Sequence, residues 1–271
     1  MISDVVTAAV AASDTVSYPR AIALAQQLHL PLAADFYAPT RRHRGHDTAF
    51  ASFDFLLVVS DRCLSLIQRG SGKPEAIVVD FVTGTLGYRQ QHGGGIRQLL
   101  GRAVGIKPGW RPQLLDATAG LGRDGYILAT LGCQVVLIER HPIIVALLQD
   151  GLARALRSPA SSTIVSQQLQ LRIGDAVEVM AGVEEGQYPD VVYLDPMFPH
   201  AEERALIKKE MRLLRHLTGG DHDTAALLDA ALRCAKSRVV VKRPLQGAVL
   251  TERSPTLTMR GKSIRYDIYL V

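Results

Sequence analysis

Composition and charge indicate a folded protein, because 47% of the 271 residues are hydrophobic and only 21% are charged. The formal net charge of +5 favours an anionic partner but does not by itself identify one. The three cysteines are widely separated and lack metal-ligand spacing, which suits a protein of the reducing cytoplasm without a bound metal. No apolar run is close to the length of a membrane span, about 20 residues.

The first part of the chain predicts a small α+β module over residues 1–109, in front of a larger domain over residues 110–271. Two β-rich runs separated by a short polar turn are typical of a hairpin. The predicted elements of this module are a strand-like or mixed segment over Ile2–Ala11, a helix over Ser17–Leu30 and strands over Phe53–Val59, Cys63–Gln68 and Ala76–Phe81.

A basic, glycine-rich segment, Gly84–Lys107, ends this module. It contains three consecutive glycines, which are costly in any regular element. Glycines with basic side chains and one aromatic residue suit a mobile loop over a phosphate-bearing ligand, and the alternative is a flexible linker between the two modules. A helix with a basic face is predicted over Ile96–Ile106. The residues of this segment that would contact the phosphates of such a ligand are Arg89, His92 and Arg97.

A strand–loop–helix–strand unit spans Gln113–Glu139. A short apolar run leads into the G-x-G-x-x-G motif of residues 120–125, a helix is predicted over Tyr126–Leu131, and a second apolar run ends in Glu139. Such glycines let the backbone approach a ligand closely, and an acid at the strand end can accept hydrogen bonds from two ribose hydroxyls. The unit predicts a site for a nucleoside-type cofactor; the alternative is a turn that only packs helix on sheet.

Strands and helices alternate from residue 113 onwards, which predicts a mostly parallel, doubly wound sheet. Four predicted strands end at or close to an acid, and ligands of such sheets bind beyond the carboxyl ends of the strands. The acids are Asp116, Glu139, Asp175 and Asp195. The remaining predicted elements are helices over Ile143–Leu156, Glu203–Leu217 and Thr224–Lys236 and strands over Leu169–Ile173, Val191–Leu194, Val239–Val241 and Ser263–Val271.

The fourth strand of this series runs into Asp195-Pro196-Met197-Phe198. This stretch resembles the [Asp/Asn]-Pro-Pro-[Tyr/Phe] signature of methyltransferases that modify exocyclic amino groups of bases, with Met197 in place of the second proline. The carboxylate of Asp195 and the carbonyl of Pro196 can hold the two hydrogens of a weakly nucleophilic amino nitrogen. Phe198 can stack on the base, a contact worth about 1–3 kcal/mol. The alternative for this stretch is an Asp-Pro turn that only closes the strand. His200, just after it, is either a proton acceptor or a structural residue.

Three stretches, residues 116–125, 138–142 and 191–200, resemble the bacterial small-subunit ribosomal RNA methyltransferase J family. Residues 92–95 and 103–107 are also similar to that family. The resemblance implies a Rossmann-like class I methyltransferase that transfers a methyl group from S-adenosylmethionine to N2 of a guanine in 16S ribosomal RNA. The substrate would be that RNA or the small ribosomal subunit, and no metal would be required.

The same resemblance implies which residues surround the cofactor. The backbone of Gly120–Gly125, and of Gly120 and Gly122 in particular, is expected to lie against the methionine part of the cofactor. Asp175 is expected to accept a hydrogen bond from the adenine amino group. Arg123 and Asp124 stand at the start of the helix, where they either contact the cofactor or cap the helix. The further residues implied are Glu139, Arg140, Ala176 and Asp195.

The predicted helix after the Asp195 stretch carries a basic stripe beside an apolar side, which favours RNA phosphates; the alternative is a solvated helix face. The residues assigned to RNA binding are Lys208, Lys209 and Arg212, beside Arg215, on this helix, and Arg89, His92 and Arg97 of the glycine-rich segment. Lys242 and Arg243, at a strand end, could extend the same track.

Two other functions fit part of this pattern. An NAD-dependent oxidoreductase of Rossmann type shares the glycine loop and the acid, but its usual Tyr/Lys or His catalytic set is not found. A non-catalytic RNA-binding ribosome assembly factor would keep the fold without methyl transfer.

Overall fold

The chain folds into two compact units, and the computed structural model describes residues 7–33, 53–68, 76–83, 95–196, 209–219, 223–246 and 253–271. The first unit comprises Met1–Val79, Ala146–Arg154 and Ile207–Gly219, and the second comprises Asp80–Val145, Ala155–Leu206 and Gly220–Val271. The boundary expected from the sequence, between residues 109 and 110, remains a prediction. Within the described ranges, no helix is long and apolar enough to cross a membrane.

The elements are numbered in chain order. The helices of the described residues are α1 (Tyr18–Leu28), α2 (Leu99–Ala103), α3 (Arg123–Thr130), α4 (Pro142–Leu156), α5 (Ser162–Gln168), α6 (Ala176–Ala181), α7 (Lys209–Thr218) and α8 (Thr224–Cys234). The strands are β1 (Ala8–Ala12), β2 (Phe55–Val59), β3 (Leu64–Gln68), β4 (Ala76–Ile77), β5 (Gln113–Asp116), β6 (Gln134–Glu139), β7 (Leu169–Ile173), β8 (Val191–Leu194), β9 (Arg238–Pro244), β10 (Leu257–Arg260) and β11 (Ile264–Leu270).

A sheet in the order β1-β2-β3-β4 forms the centre of the first unit. Strand β1 runs parallel to β2, and β2 and β3 form the predicted antiparallel hairpin. Its turn is closed by Ser60, whose hydroxyl donates to the carbonyl of Cys63 at 2.8 Å and accepts from the Cys63 N–H at 3.0 Å. Strand β4 is shorter than predicted, because only two residues of Ala76–Phe81 pair with β3.

Segments from later in the sequence complete the first unit. Asp150 in α4 accepts a hydrogen bond from the N–H of Leu64 at 3.1 Å. A Cβ atom added to Gly151 would lie 2.4 Å from Cγ1 of Val79, so only glycine allows this close approach. The ring of His216 in α7 packs edge-on against Phe55 with centroids 5.4 Å apart. Three separate stretches of sequence therefore share one core.

A sheet in the order β10-β11-β9-β8-β5-β6-β7 forms the second unit. The five strands from β9 to β7 are parallel, and β11 and β10 add on antiparallel. This arrangement confirms the predicted mostly parallel, doubly wound sheet. The chain leaves β5 towards β6 and β7 and then returns to β8 on the other side of β5, so the topological switch point lies between β5 and β8.

The two faces of this sheet separate its packed core from its polar cluster. On one face, alternate apolar side chains such as Leu115, Leu194 and Val241 pack together with Leu228 of α8. The intervening positions point towards α3, because successive side chains of a strand alternate between faces. The polar residues at these positions include Asp116, Tyr193 and Lys242.

Some predicted elements differ from those observed. The helix predicted over Ile96–Ile106 is a 3₁₀ turn at Gly95–Arg97 followed by α2, because Gln98 between them is extended with ψ of 152°. Helix α3 begins three residues earlier than predicted, directly after Gly122. Of the helix predicted over Glu203–Leu217, the described part is α7, which continues one residue further. The elements that were not predicted are α5, α6 and β10.

Candidate active site

The loop that follows β5 turns back on itself at two glycines. Gly120 has a φ of 53° and Gly122 a φ of 71°, both in the left-handed region that glycine adopts without strain. A Cβ atom added to Gly120 would meet no heavy atom within 4 Å, whereas one added to Gly125 would lie 2.3 Å from Cδ2 of Leu137. The first glycine thus faces open space that a ligand can fill, and the third lets α3 pack closely on β6.

Glu139, at the end of β6, holds this loop in place. Its Oε2 accepts from the N–H of Gly120 at 3.0 Å, and its Oε1 accepts from the N–H of His141 at 2.7 Å. An ionised carboxylate has about four lone-pair sites, so it can accept from ligand hydroxyls as well. The acid expected for ribose binding therefore also has a structural role that the motif did not indicate.

Asp175 follows β7 and caps helix α6. Its Oδ1 accepts from the N–H of Val177 at 2.8 Å and of Glu178 at 3.4 Å, and its Oδ2 pairs with Nη1 of Arg140 at 2.9 Å. Burial raises the pKa of Asp175, but hydrogen bonds from Arg140 and the two helical N–H groups outweigh this and lower it. Ala176 is the first residue of the helix and is buried. The adenine contact expected for this pair remains a prediction.

Arg140 joins two acids from different elements of the second unit. Besides Asp175, its Nη1 contacts Oδ2 of Asp223 at 2.8 Å, just before α8. All three side chains are partly exposed, so we assign this network a modest contribution to stability. Arg123, at the first position of α3, is exposed.

Asp195 and Pro196 lie directly after β8, across the switch point from the glycine loop. The N–H of Asp195 donates to Oγ1 of Thr118 at 2.6 Å. The side chain of Asp195 is 30% exposed, while Pro196 is buried. Thr118 and Gly120 belong to one loop, so this loop is bonded to Asp195 on one side and to Glu139 on the other. Phe198 and His200 lie outside the described residues.

Lys242 in β9 forms ion pairs with two acids of the site. Its Nζ lies 2.6 Å from Oδ2 of Asp195 and 2.8 Å from Oδ2 of Asp124. The same Asp124 oxygen accepts from the hydroxyl of Tyr193 at 2.7 Å. Burial lowers the pKa of Lys242, but the charges of Asp195 and Asp124 outweigh it and raise this pKa above its usual value. Asp124 therefore faces this polar cluster, and Gly122 occupies the N-cap of α3.

The expectation that Lys242 and Arg243 extend an RNA-binding track is wrong. Lys242 is held by two carboxylates, and Arg243 is only 4% exposed because the strand turns its side chain to the opposite face. The position of Lys242 at the end of a predicted strand could have indicated a buried role. Its pairing with Asp195, however, becomes clear only from the register of the two strands.

Asp116, at the end of β5, is the most buried acid of the site, with 2% exposure. Burial and the nearby charge of Asp124 raise its pKa to about 8, against the effect of a hydrogen bond from the N–H of Thr118. At neutral pH this carboxyl group is therefore mainly protonated. The sequence placed Asp116 at the correct strand end but did not indicate its protonation.

The residues assigned to RNA binding fall in both units. Arg97 ends the 3₁₀ turn of the second unit and is exposed, and Arg212 is exposed on α7 of the first. Lys209 begins α7. Within that helix Leu213, Leu214 and Leu217 are buried, which confirms its apolar side. Arg89, His92 and Lys208 lie outside the described residues.

Known proteins resemble this chain over most of its length. The family model of putative SAM-dependent methyltransferases matches residues 38–271. Ribosomal RNA small subunit methyltransferase J of Pseudomonas paraeruginosa is 49% identical over 245 residues, which cover 90% of this chain and 87% of that protein. The protein of the same name from Pseudomonas fluorescens is 50% identical over 216 residues, which cover 80% of this chain and 82% of that protein.

A solved structure shows the same fold. The crystal structure of a SAM-dependent methyltransferase from Neisseria gonorrhoeae matches with a TM-score of 0.66 and 31% identity, and the match covers 97% of this chain and 96% of that chain. The Rossmann-like methyltransferase fold, the enzyme class and the cofactor S-adenosylmethionine are thereby confirmed, in preference to the NAD-dependent oxidoreductase. The chain belongs to the ribosomal RNA small subunit methyltransferase J family of S-adenosylmethionine-dependent methyltransferases.

Proposed function

We propose that this chain transfers a methyl group from S-adenosylmethionine to the exocyclic N2 of a guanine in 16S ribosomal RNA, in the cytoplasm. The names of its relatives support small-subunit ribosomal RNA as the substrate. The observation that carries the proposal is the loop of Thr118 and Gly120, which is bonded to Asp195 and to Glu139. Glu139, assigned to the cofactor, and Asp195, assigned to the target base, thus lie next to one switch point, which suits a reaction between a nucleoside cofactor and a base.

The residues of the site fit S-adenosylmethionine. The open space over Gly120 accommodates its methionine part, and the remaining lone pairs of Glu139 suit the two ribose hydroxyls. Asp175 and Ala176 are assigned to the adenine ring. Arg140 orients Asp175, and Gly122, with its positive φ, shapes the turn of the glycine loop.

Asp195, Pro196 and Phe198 are assigned to the target base. The carboxylate of Asp195 and the carbonyl of Pro196 accept the two hydrogens of the amino group and so direct its lone pair. Held by these residues, S-adenosylmethionine would supply an activated methyl group to the nitrogen lone pair, the electrons of its C–S bond would stay on sulfur, and the amino group would lose one proton to water. Holding the amino group in line accounts for much of the rate, since such alignment can supply about 7–11 kcal/mol.

Basic side chains are assigned to the RNA backbone. Arg97 and Arg212 are exposed and suit phosphate contacts, as does the net charge of the chain. The further residues assigned to this role are Arg89, His92, Lys208 and Lys209. A guanine inside folded RNA must leave its stack to reach Asp195.

Nucleoside mass spectrometry of 16S ribosomal RNA tests this proposal. RNA from cells that lack this chain should lose one N2-methylguanosine and regain it when the wild-type chain is restored. The purified protein should place the same mark on naked 16S RNA or on assembled small subunits, and a comparison of the two identifies the substrate. A methyl group found on another atom of guanine, or on another base, would refute the N2 assignment.

Asp195→Ala provides the catalytic control. We expect this variant to bind S-adenosylhomocysteine as the wild type does, because its backbone bond to Thr118 is retained, and to lose methyl transfer. Unchanged transfer by Asp195→Ala would remove this residue from the mechanism. If the folded wild-type protein transferred no methyl group to any RNA, a non-catalytic role in ribosome assembly would be favoured.

A further inference from the structure

The register of two central strands places Lys242 beside Asp195. Tyr193 of β8 pairs with Val240 of β9 in a parallel arrangement. Two residues further along the chain in each case stand Asp195, directly after β8, and Lys242 in β9, on the side of the sheet that faces α3. The observed distance of 2.6 Å between Nζ and Oδ2 follows from this register.

Lys242 is itself fixed by a second acid. Nζ lies 2.8 Å from Oδ2 of Asp124, and the hydroxyl of Tyr193 donates to that same oxygen at 2.7 Å. Asp124 is in the first turn of α3, and Tyr193 is fully buried. The ammonium group is therefore held between a helix and a strand end, and it has little freedom to move away from Asp195.

We propose that Lys242 is the positioning residue that aims the carboxylate of Asp195 and keeps it ionised for the methyl-accepting amino group. The inference rests on the proposed function, in which Asp195 accepts a hydrogen from that amino group. Only the ionised carboxylate accepts with both oxygens, whereas a protonated acid presents a donor to the amino hydrogens. Lys242 acts through Asp195 and is not assigned a contact with either substrate.

The charges around Asp195 explain why it needs this cation. Among the residues that the structure describes, the titratable groups that face it are Asp124 from α3, Asp116 from β5, Tyr193 from β8, Lys242 from β9 and, beyond Tyr193, Tyr266 from β11. Against the acids in this set, Lys242 supplies the positive charge. Without it, two neighbouring carboxylates would repel each other, and one of them would take up a proton at a higher pH.

Two substitutions of Lys242 separate charge from shape. Lys242→Met keeps an unbranched side chain without charge, and Lys242→Arg keeps the charge. We expect Lys242→Met to lower kcat for methyl incorporation into small-subunit RNA by about 100-fold at pH 7, with KM for S-adenosylmethionine little changed. Its kcat should rise with pH by up to about tenfold per unit, because only the ionised fraction of Asp195 is active.

Lys242→Arg should recover most of the lost rate and the pH profile of the wild type. Lys262→Met, in the exposed turn between β10 and β11, is the matched control and should leave kcat unchanged. A wild-type rate and pH profile in Lys242→Met would overturn the inference. So would an equal loss in both Lys242 variants without a new pH dependence, or a loss of S-adenosylhomocysteine binding by Lys242→Met, since these indicate a structural role.

The same experiment distinguishes this inference from the proposed function. Total methyl incorporation compares the variants whichever atom receives the methyl group, and nucleoside analysis of the wild-type product identifies that atom separately. A product other than N2-methylguanosine would refute the proposed target, while the comparison of Lys242→Met with Lys242→Arg would still decide the role of Lys242.

Discussion

Glu139 illustrates how one side chain serves both a fold and a ligand. Its two oxygens accept hydrogen bonds from the N–H groups of Gly120 and His141, while its remaining lone pairs are assigned to the cofactor. Removing the carboxylate should therefore loosen the glycine loop and delete the proposed acceptor for the ribose hydroxyls.

We expect Glu139→Ala to weaken S-adenosylhomocysteine binding by about 10–100-fold, because hydrogen bonds to charged groups are worth about 1.5–3 kcal/mol. Isothermal titration calorimetry measures the effect. Glu185→Ala, in an exposed 3₁₀ turn, is the matched control and should bind as the wild type does. Equal affinity of the two variants would contradict the assignment of Glu139.

Asp116 should make stability depend on pH. Its pKa is about 8 in the folded chain, against 3.8 for an ordinary solvated aspartate, so between these values the folded chain binds more protons than the unfolded chain. The contribution of Asp116 to the free energy of unfolding is therefore highest below pH 3.8. It falls as pH rises through this window and is lost above about pH 8.

Asp116→Asn tests this dependence, because the amide imitates the protonated acid and does not titrate. We expect the free energy of unfolding of the wild type, relative to that of Asp116→Asn, to decrease between about pH 5 and about pH 8. Denaturant titrations across this range give the difference. Parallel pH curves for the two proteins would show that Asp116 is ionised at neutral pH in the folded state.

At the residue scale, local motifs identified part of the site. The strand ends at Glu139 and Asp195 were predictable because each follows an apolar run and carries a spacing with a chemical meaning. Lys242 was misassigned because its partner is 47 residues away in sequence and depends on which strands are neighbours. Asp124 was left open between capping and binding for the same reason.

At the scale of elements, the packing of α3 on β6 depends on a glycine. A Cβ atom at position 125 would lie 2.3 Å from Cδ2 of Leu137 and 3.2 Å from Oδ2 of Asp116. Such a contact requires the helix to move away from the sheet, and overpacking of this kind typically costs about 1–3 kcal/mol.

Gly125→Ala should therefore lower the free energy of unfolding by about 1–3 kcal/mol, measured by denaturant titration. Gly186→Ala provides the control, because a Cβ atom there would meet nothing within 4 Å, and its effect should stay within about 0.5 kcal/mol. If Gly125→Ala were as stable as Gly186→Ala, the packing of α3 would tolerate more movement than this geometry indicates.

The elements that the sequence did not predict share a physical cause. Helices α5 and α6 have seven and six residues, too few to show a helical period. Strand β10 lies at the sheet edge and has mostly exposed side chains, so it lacks the apolar alternation of a half-buried strand. The central parallel strands, by contrast, were predictable from buried apolar runs such as Val191–Leu194.

At the scale of the whole molecule, the net charge of +5 and the exposed Arg97 and Arg212 bear on RNA affinity. We expect Arg97→Ala and Arg212→Ala each to raise KM for RNA without changing affinity for S-adenosylhomocysteine. Each should also reduce the slope of log affinity against log salt by about one unit. Filter binding at several salt concentrations measures this slope, and Arg157→Ala serves as an exposed control. An unchanged slope would place that arginine outside the RNA interface.

The first unit draws on stretches that begin at residue 1, at Ala146 and at Ile207, and this order has a consequence for biosynthesis. During translation, its N-terminal sheet emerges well before the α4 residue that binds Leu64 and the α7 residue that packs on Phe55. Native packing of this unit must wait until Gly219 has left the exit tunnel, so its early strands remain incompletely covered while most of the chain is being synthesised.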